Sequence, residues 1–104
     1  MDEVEAAKWH RKAADLGDKF SRLALGLYYF EGRGVAMDDI ESYAFLNLAG
    51  VAGEIHGAEY LDALKYSLSP SERLRGRQRA KDLKKEADAN IAARKAEDAK
   101  KARK

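Results

Sequence analysis

The protein has 104 residues, 37% of them charged and 45% hydrophobic, which is enough for one domain with a modest core. It contains no cysteine, which excludes disulfides, thiolate metal sites and a cysteine nucleophile. The net charge of +2 is unevenly distributed, because residues 1–68 hold 7 Lys/Arg and 12 Asp/Glu (−5) whereas residues 69–104 hold 13 Lys/Arg and 6 Asp/Glu (+7).

The predicted secondary structure is entirely α-helical. A single proline, together with abundant alanine, leucine, lysine and glutamate, favours helices over strands. The hydrophobic pattern and the turn residues predict five helices, over residues 4–16, 20–30, 40–52, 55–68 and from 70 onward. The first and third helices are expected to end at Gly17 and Gly53, since glycine readily takes the left-handed conformation that terminates a helix.

Turn residues mark the other helix ends. Gly32 and Gly34 predict a tight corner after the second helix, because glycine adopts positive φ without steric strain. Asp38 or Asp39 is the expected N-cap of the third helix. In "SPSE", residues 69–72, a cap serine, a proline at the first helical position and a glutamate predict a capping box that begins the fifth helix.

Residues 4–17 and 40–53 match at an offset of 36 positions. Five pairs correspond: Val4 with Ile40, Glu5 with Glu41, Trp9 with Phe45, Ala13 with Ala49, and Gly17 with Gly53. A helical period of roughly 34–40 residues is typical of an α-solenoid. The repeat also predicts that Trp9 and Phe45 occupy similar environments.

The segment 24–53 closely resembles the Sel1-like repeat, a relative of the tetratricopeptide repeat. The matching residues are Leu25, Gly26, Tyr29, Gly32, Gly34, Val35, Asp39, Phe45, Ala49, Gly50 and Gly53, with Ser21 as the first small residue. One complete repeat spans about 19–53 and has half repeats on either side, so the resemblance covers about 4–85. It lacks the cysteine pair that some members have. The resemblance implies a right-handed all-α solenoid over 1–68, closed by a long basic helix over 69–104, and a bacterial regulatory or scaffolding role.

The helix over 20–30 has a second apolar stripe, formed by Phe20, Leu23, Leu27 and Phe30. The resemblance implies that this stripe faces the concave groove of the solenoid. The equivalent positions of the next repeat include His56, Glu59 and Tyr66, and the groove would bind a peptide or a helix. In the alternative interpretation the stripe is simply core. We therefore expect a non-catalytic protein-binding module whose partner is another protein or a second copy. A small inhibitor that occludes a larger protein would have the same pattern.

The C-terminal helix has one narrow stripe of small and apolar residues, Gly76, Ala80, Leu83, Ala87 and Ile91. This stripe is expected to dock on the last hairpin, and the helix is expected to be solvated or frayed beyond about residue 92. An alternative function is binding to nucleic acid or an anionic surface through a run of cations. The cations are Arg73, Arg75, Arg77, Arg79 and Lys81.

No constellation of residues predicts catalysis or metal binding. His10 and His56 are isolated, so each is expected to be a surface or edge residue. A phosphate-binding interpretation of residues 32–34 lacks both a preceding strand and a Gly-Lys-Ser/Thr ending. We therefore predict a protein that is not an enzyme and uses no cofactor. With no long apolar run and no apolar leader in the first residues, a cytoplasmic location is expected, the alternative being a periplasmic location after removal of a signal peptide.

Overall fold

A computed structural model describes residues 2–102 as an array of helices. The elements are α1 (Glu3–Ala14), α2 (Lys19–Glu31), α3 (Asp39–Val51), α4 (Ala58–Ser67) and α5 (Pro70–Ala102). No strand occurs within 2–102, and the predicted all-α class is confirmed. Four helices begin within one residue of the prediction. The fourth begins at Ala58 rather than at residue 55, because Glu54 holds a turn by accepting a hydrogen bond from the backbone N–H of His56.

Side-chain caps begin the helices. The carboxylate of Asp38 accepts the backbone N–H groups of Ile40 and Glu41, both at 3.1 Å, and so caps α3 as predicted. At the start of α5, the backbone N–H of Ser69 donates to Glu72 at 2.9 Å, while the backbone N–H of Glu72 donates to the Ser69 hydroxyl at 3.1 Å. The capping box is therefore formed as the sequence predicts.

The corner between α2 and α3 depends on two glycines with left-handed backbone angles. Gly32 has φ 72° and Gly34 has φ 69°. Gly34 also lies against the first turn of α1, where a Cβ would overlap the carbonyl of Glu3. The glycines therefore form a packed corner between two helices, as the sequence predicts.

The centre of the molecule is α3, which packs against α2, α4 and α5. One buried cluster joins it to α1, α2 and α5 and contains Ala14, Leu25, Ala44, Phe45, Leu48, Ala80 and Leu83. A second buried cluster joins it to α4 and contains Tyr43, Leu46, Leu64 and Leu68. Because α3 packs against three helices, residues 42–46 are all buried, whereas Gly50 and Val51 at its end are exposed.

The α2–α3 pair is held by close backbone approach. A Cβ on Gly26 would lie 2.6 Å from Leu46 Cγ, so a larger residue has no room. The buried hydroxyl of Ser42 donates a hydrogen bond to the Gly26 carbonyl at 2.6 Å. Tyr29 stacks on Phe45 with ring centroids 6.0 Å apart. These contacts make residues 19–51 one tightly packed hairpin.

The long helix α5 packs along α3 and hardly touches α4 beyond its first turn. Arg79 Nε donates to Glu41 Oε1 at 2.7 Å, and further along Asn90 Nδ2 donates to the carbonyl of Asp15 at 3.0 Å. The predicted docking stripe is buried from Gly76 to Ala87 and half-buried at Ile91. The helix continues to Ala102 with its later side chains exposed, and arginine and lysine at 103–104 lie outside the described residues.

The prediction that Trp9 and Phe45 occupy similar environments is wrong. Phe45 is 2% exposed, whereas Trp9 is 59% exposed. The two residues occupy equivalent positions on α1 and α3, but α3 is enclosed by three helices and α1 packs mainly against α2. The repeat in the sequence therefore predicts a helix at both positions, but it does not predict which helices pack against each.

Candidate interaction surfaces

We use the name α2–α4 face for the residues that the sequence assigns to partner binding. Its members are Phe20, Leu23, Leu27, Phe30, His56, Glu59 and Tyr66. Phe20, near the start of α2, is 61% exposed, and Tyr66, near the end of α4, is 93% exposed. His56 and Glu59 are exposed as well. Four of the seven side chains are thus largely open to solvent.

The other three members, Leu23, Leu27 and Phe30, are half-buried and pack against the second core cluster. The ring of Phe30 meets the ring of Tyr60 edge-on, with centroids 5.2 Å apart. A Cβ on Gly57 would lie 2.9 Å from Leu23 Cδ1. These three side chains therefore connect α2 to the second core cluster and α4, as the core interpretation expects, and are the least exposed members of the α2–α4 face.

Sequence reasoning missed one exposed apolar side chain beside His56. Ile55 is 74% exposed in the turn that precedes α4. The predicted helix over 55–68 placed it inside a helix, whereas the turn after Gly53 leaves it outside. The local signal was the helix-ending glycine two positions earlier.

Glu54 organises the turn that carries His56. Its side chain is buried, and its carboxylate accepts a hydrogen bond from the backbone N–H of His56 at 3.0 Å. It also contacts the imidazole of the same residue. These hydrogen bonds, chiefly the one from the backbone, hold the pKa of Glu54 below its ordinary range. The position of His56 on the α2–α4 face is therefore fixed by a buried carboxylate.

A cleft of about 760 Å³, here named the α1 cleft, lies between α1 and the end of α2. Its lining includes Val4, Lys8 and Arg11 on one side and Tyr29 and Val35 on the other. Sequence reasoning did not find it, although residues 4, 8 and 11 follow the spacing that places side chains on one helix face.

Arg11 occupies the inner wall of the α1 cleft and is half-buried. Its Nη2 donates to the Tyr29 hydroxyl at 2.6 Å, and its guanidinium carbon lies 5.0 Å from the centroid of the Phe45 ring. Within residues 2–102, no carboxylate oxygen lies within 4.0 Å of Arg11, Lys8 or Lys12. The cleft therefore carries positive charge that the described residues leave unpaired.

The five cations at the start of α5 do not form one free surface. Arg73 Nη1 donates to the carbonyls of Lys65 and Leu68, at 2.6 and 3.2 Å, and so closes the end of α4. Arg79 is paired with Glu41, and this hydrogen-bonded carboxylate raises the pKa of the guanidinium further above its ordinary value. The remaining three, Arg75, Arg77 and Lys81, are exposed.

The histidines differ in their surroundings. His10 is half-buried, with Nδ1 3.1 Å from the Ser21 hydroxyl and its ring edge-on to Tyr28 at 5.6 Å. It packs α1 on α2, so it is more enclosed than the sequence suggests.

Across residues 2–102, no group of three His, Asp or Glu side chains is placed to hold a metal ion. None of the helices described for this stretch combines the length and apolarity needed to cross a bilayer.

Comparison with known proteins finds similarity to parts of larger bacterial proteins, and no family model matches the chain. Over 66 residues, 64% of the chain, it is 36% identical to the alginate biosynthesis protein AlgK of Azotobacter vinelandii, of which this match covers 14%. Its structure superposes, with a TM-score of 0.77 and 25% sequence identity, on a protective antigen of uropathogenic Escherichia coli strains that displays an SLR fold. That superposition covers 92% of the chain and 21% of the antigen, so the chain spans less than a quarter of either protein.

Proposed function

The chain is an all-α solenoid with the Sel1-like repeat fold, and we propose that it acts as a non-catalytic protein–protein interaction module. The α2–α4 face binds a peptide or a helix of another protein. Repeat solenoids use such side-by-side helices as extended binding surfaces. The bound segment would supply apolar side chains at helical spacing and polar groups beside them.

The observation that carries this proposal is the exposure of aromatic side chains on the α2–α4 face. Tyr66 is 93% exposed and Phe20 is 61% exposed, although both are large enough to be costly to leave in water. Aromatic residues that become buried on binding account for much of the energy of protein interfaces. His56 and Glu59 supply polar groups at the edge, and the half-buried Leu23 and Leu27 supply an apolar floor.

A peptide-display experiment tests the proposal. Helical peptides selected on the wild-type protein are measured for affinity against a Phe20→Ser, Tyr66→Ser double variant and against Val51→Ser as a matched control. Val51 is an exposed apolar residue at the end of α3 and outside the α2–α4 face. We expect the double variant to lose at least about tenfold in affinity, since each change removes a side chain that becomes buried on binding. The control should bind as the wild type does.

Both sets of substitutions are at exposed positions, so circular dichroism should show an unchanged helix content. Selected peptides that bind the double variant as tightly as the wild type would place the interaction surface elsewhere. Failure to select any peptide, with the protein folded, would count against the module itself.

A further inference from the structure

We infer that the α1 cleft is a second binding site, specific for an acidic peptide segment of a partner protein, whose carboxylate is held by Arg11. This site goes beyond the proposed function, because it shares no residue with the α2–α4 face. α2 separates the two: it contributes Leu25 and Tyr29 to the cleft and Leu23 and Leu27 to the other face.

The first argument is the state of Arg11. A guanidinium that is partly removed from water is stabilised by an opposite charge, because a charge is costly to bury without one. Arg11 is instead held by the Tyr29 hydroxyl and by the Phe45 ring. A guanidinium has five N–H donors, and within residues 2–102 one hydrogen bond is described for Arg11, to the Tyr29 hydroxyl. Its position is fixed while its charge is uncompensated, which is the arrangement of a preformed carboxylate receptor.

The second argument is the charge of the lining. Three cations, Lys8, Arg11 and Lys12, line the cleft together with a single acid, Glu5. An occupant that carries negative charge is therefore favoured. The strongly basic end of α5 from a second copy is disfavoured by the same argument, since residues 92–102 contain four Lys/Arg and two Asp/Glu.

The third argument is size and polarity. A volume of about 760 Å³ falls within the usual range of roughly 300–1,000 Å³ for ligand sites. Val4, Val35 and Leu25 give the cleft apolar walls, which suit the aliphatic side chains of a peptide better than a sugar–phosphate backbone. Phosphodiester binding usually uses an extended row of cations, whereas here the cations surround a short apolar cleft. The expected ligand is thus a segment in which Asp or Glu alternates with Leu or Phe.

Trp9 makes the inference directly measurable. It lines the cleft and is the only tryptophan of the chain, so tryptophan emission, excited at a wavelength that tyrosine does not absorb, reports on this site. The probe is a blocked peptide of about ten residues that alternates Glu with Leu and Phe. Three comparison ligands are the same peptide with Gln in place of Glu, inorganic phosphate, and oligothymidylate. The variants are Arg11→Gln, a Lys8→Gln, Lys12→Gln double substitution, and Lys100→Gln as a control for the loss of one exposed lysine.

We expect saturable quenching or a shift of the Trp9 emission by the Glu peptide, and binding at least about tenfold weaker for the Gln peptide and for Arg11→Gln, because a charge-assisted hydrogen bond is lost. The double lysine variant should bind more weakly by a few-fold and should remain fully folded, since both side chains are exposed. Lys100→Gln should bind as the wild type does. Added salt should weaken the Glu peptide selectively.

Equal affinity for the Glu and Gln peptides, or no saturable response to either, would overturn the inference. So would oligothymidylate or phosphate binding that depends on Arg11 while the peptide does not bind. The Phe20→Ser, Tyr66→Ser variant separates this site from the proposed function. The Glu peptide should bind that variant with wild-type affinity. If that variant lost binding while Arg11→Gln kept it, the binding site of the acidic peptide would lie on the α2–α4 face.

Discussion

Helices α1 and α3 carry the same residue pattern 36 positions apart, but only α3 is enclosed by other helices. α3 packs against α2, α4 and α5, whereas α1 packs mainly against α2. The difference extends to polar positions. Glu41 is paired with Arg79, while its counterpart Glu5 is exposed. A repeat helix with more neighbours therefore buries more of its side chains, and a helix with few neighbours retains exposed surface.

The largest expected effect separates the two aromatic counterparts. Phe45→Ala should lower the free energy of unfolding by about 3–5 kcal/mol, because it empties the centre of the first core cluster. Trp9→Ala should lower it by less than about 1 kcal/mol, because the indole is mostly in water. Urea unfolding followed by circular dichroism measures both. Similar losses in the two variants would mean that α1 is as enclosed as α3.

A second prediction compares a glycine that is tightly packed with one that has open space beside it. In Gly26→Ala the new Cβ would lie 2.6 Å from Leu46, so the α2–α3 contact must open, and about 1–3 kcal/mol of stability should be lost. A Cβ on Gly50 in α3 would instead point into open space, with no side chain within 4 Å, and the counterpart of Gly50 in α1 is already Ala14. Gly50→Ala should therefore be neutral or stabilising by up to about 1 kcal/mol. Thermal unfolding of the two variants compares them, and a stable Gly26→Ala would show that the helices can separate freely.

A third prediction compares the two glutamates. Glu41→Gln should cost about 1–2 kcal/mol, because it removes the charge from a partly buried pair in which Arg79 remains. Glu5→Gln should change stability by less than about 0.5 kcal/mol. Both residues lie in the first turn of their helices, so the helix dipole contributes equally and the difference measures the pair. Urea unfolding at neutral pH measures the loss of stability in both variants. Equal effects would mean that the ion pair between Glu41 and Arg79 contributes nothing to stability.

The smallest expected effect is the pH dependence at the end of α3. The hydrogen bonds from His56 lower the pKa of Glu54 in the folded protein, so Glu54 stabilises the fold above the ordinary glutamate pKa of about 4.3. That stability is lost as the pH falls through the lower folded-state pKa. Glu54→Gln keeps an acceptor for the backbone of His56 but cannot titrate.

We therefore expect the variant to show a shallower fall in unfolding free energy with pH below about 4.3 than the wild type, as measured by urea titrations at several pH values. The counterpart of Glu54 one repeat earlier is Asp18, whose carboxylate caps α2 by accepting a hydrogen bond from the backbone N–H of Ser21. Wild type and Glu54→Gln with the same slope would show that the turn at 54–56 does not depend on the charge.

The sequence alone was sufficient for the elements whose physics is local. The cap at Asp38, the capping box at 69–72 and the positive φ of Gly32 and Gly34 each depend on groups within a few residues of one another. The all-α class followed from the composition and the helical patterning, the Sel1-like repeat fold was implied by the resemblance of residues 24–53, and both are confirmed. Helix caps and tight turns can be predicted from sequence because the groups that form them lie one to four positions apart.

Burial was decided only by the tertiary structure. The matching positions 9 and 45 suggest equal environments, yet the route of α5 along α3 encloses one of them and leaves the other in water. The same route leaves α4 uncovered, which exposes Tyr66, and keeps α5 away from the α1 cleft, where Arg11 has no described carboxylate partner. Which side of a helix is covered depends on contacts between residues far apart in the chain. Helical periodicity identifies an apolar face but does not identify the helix, if any, that packs against it.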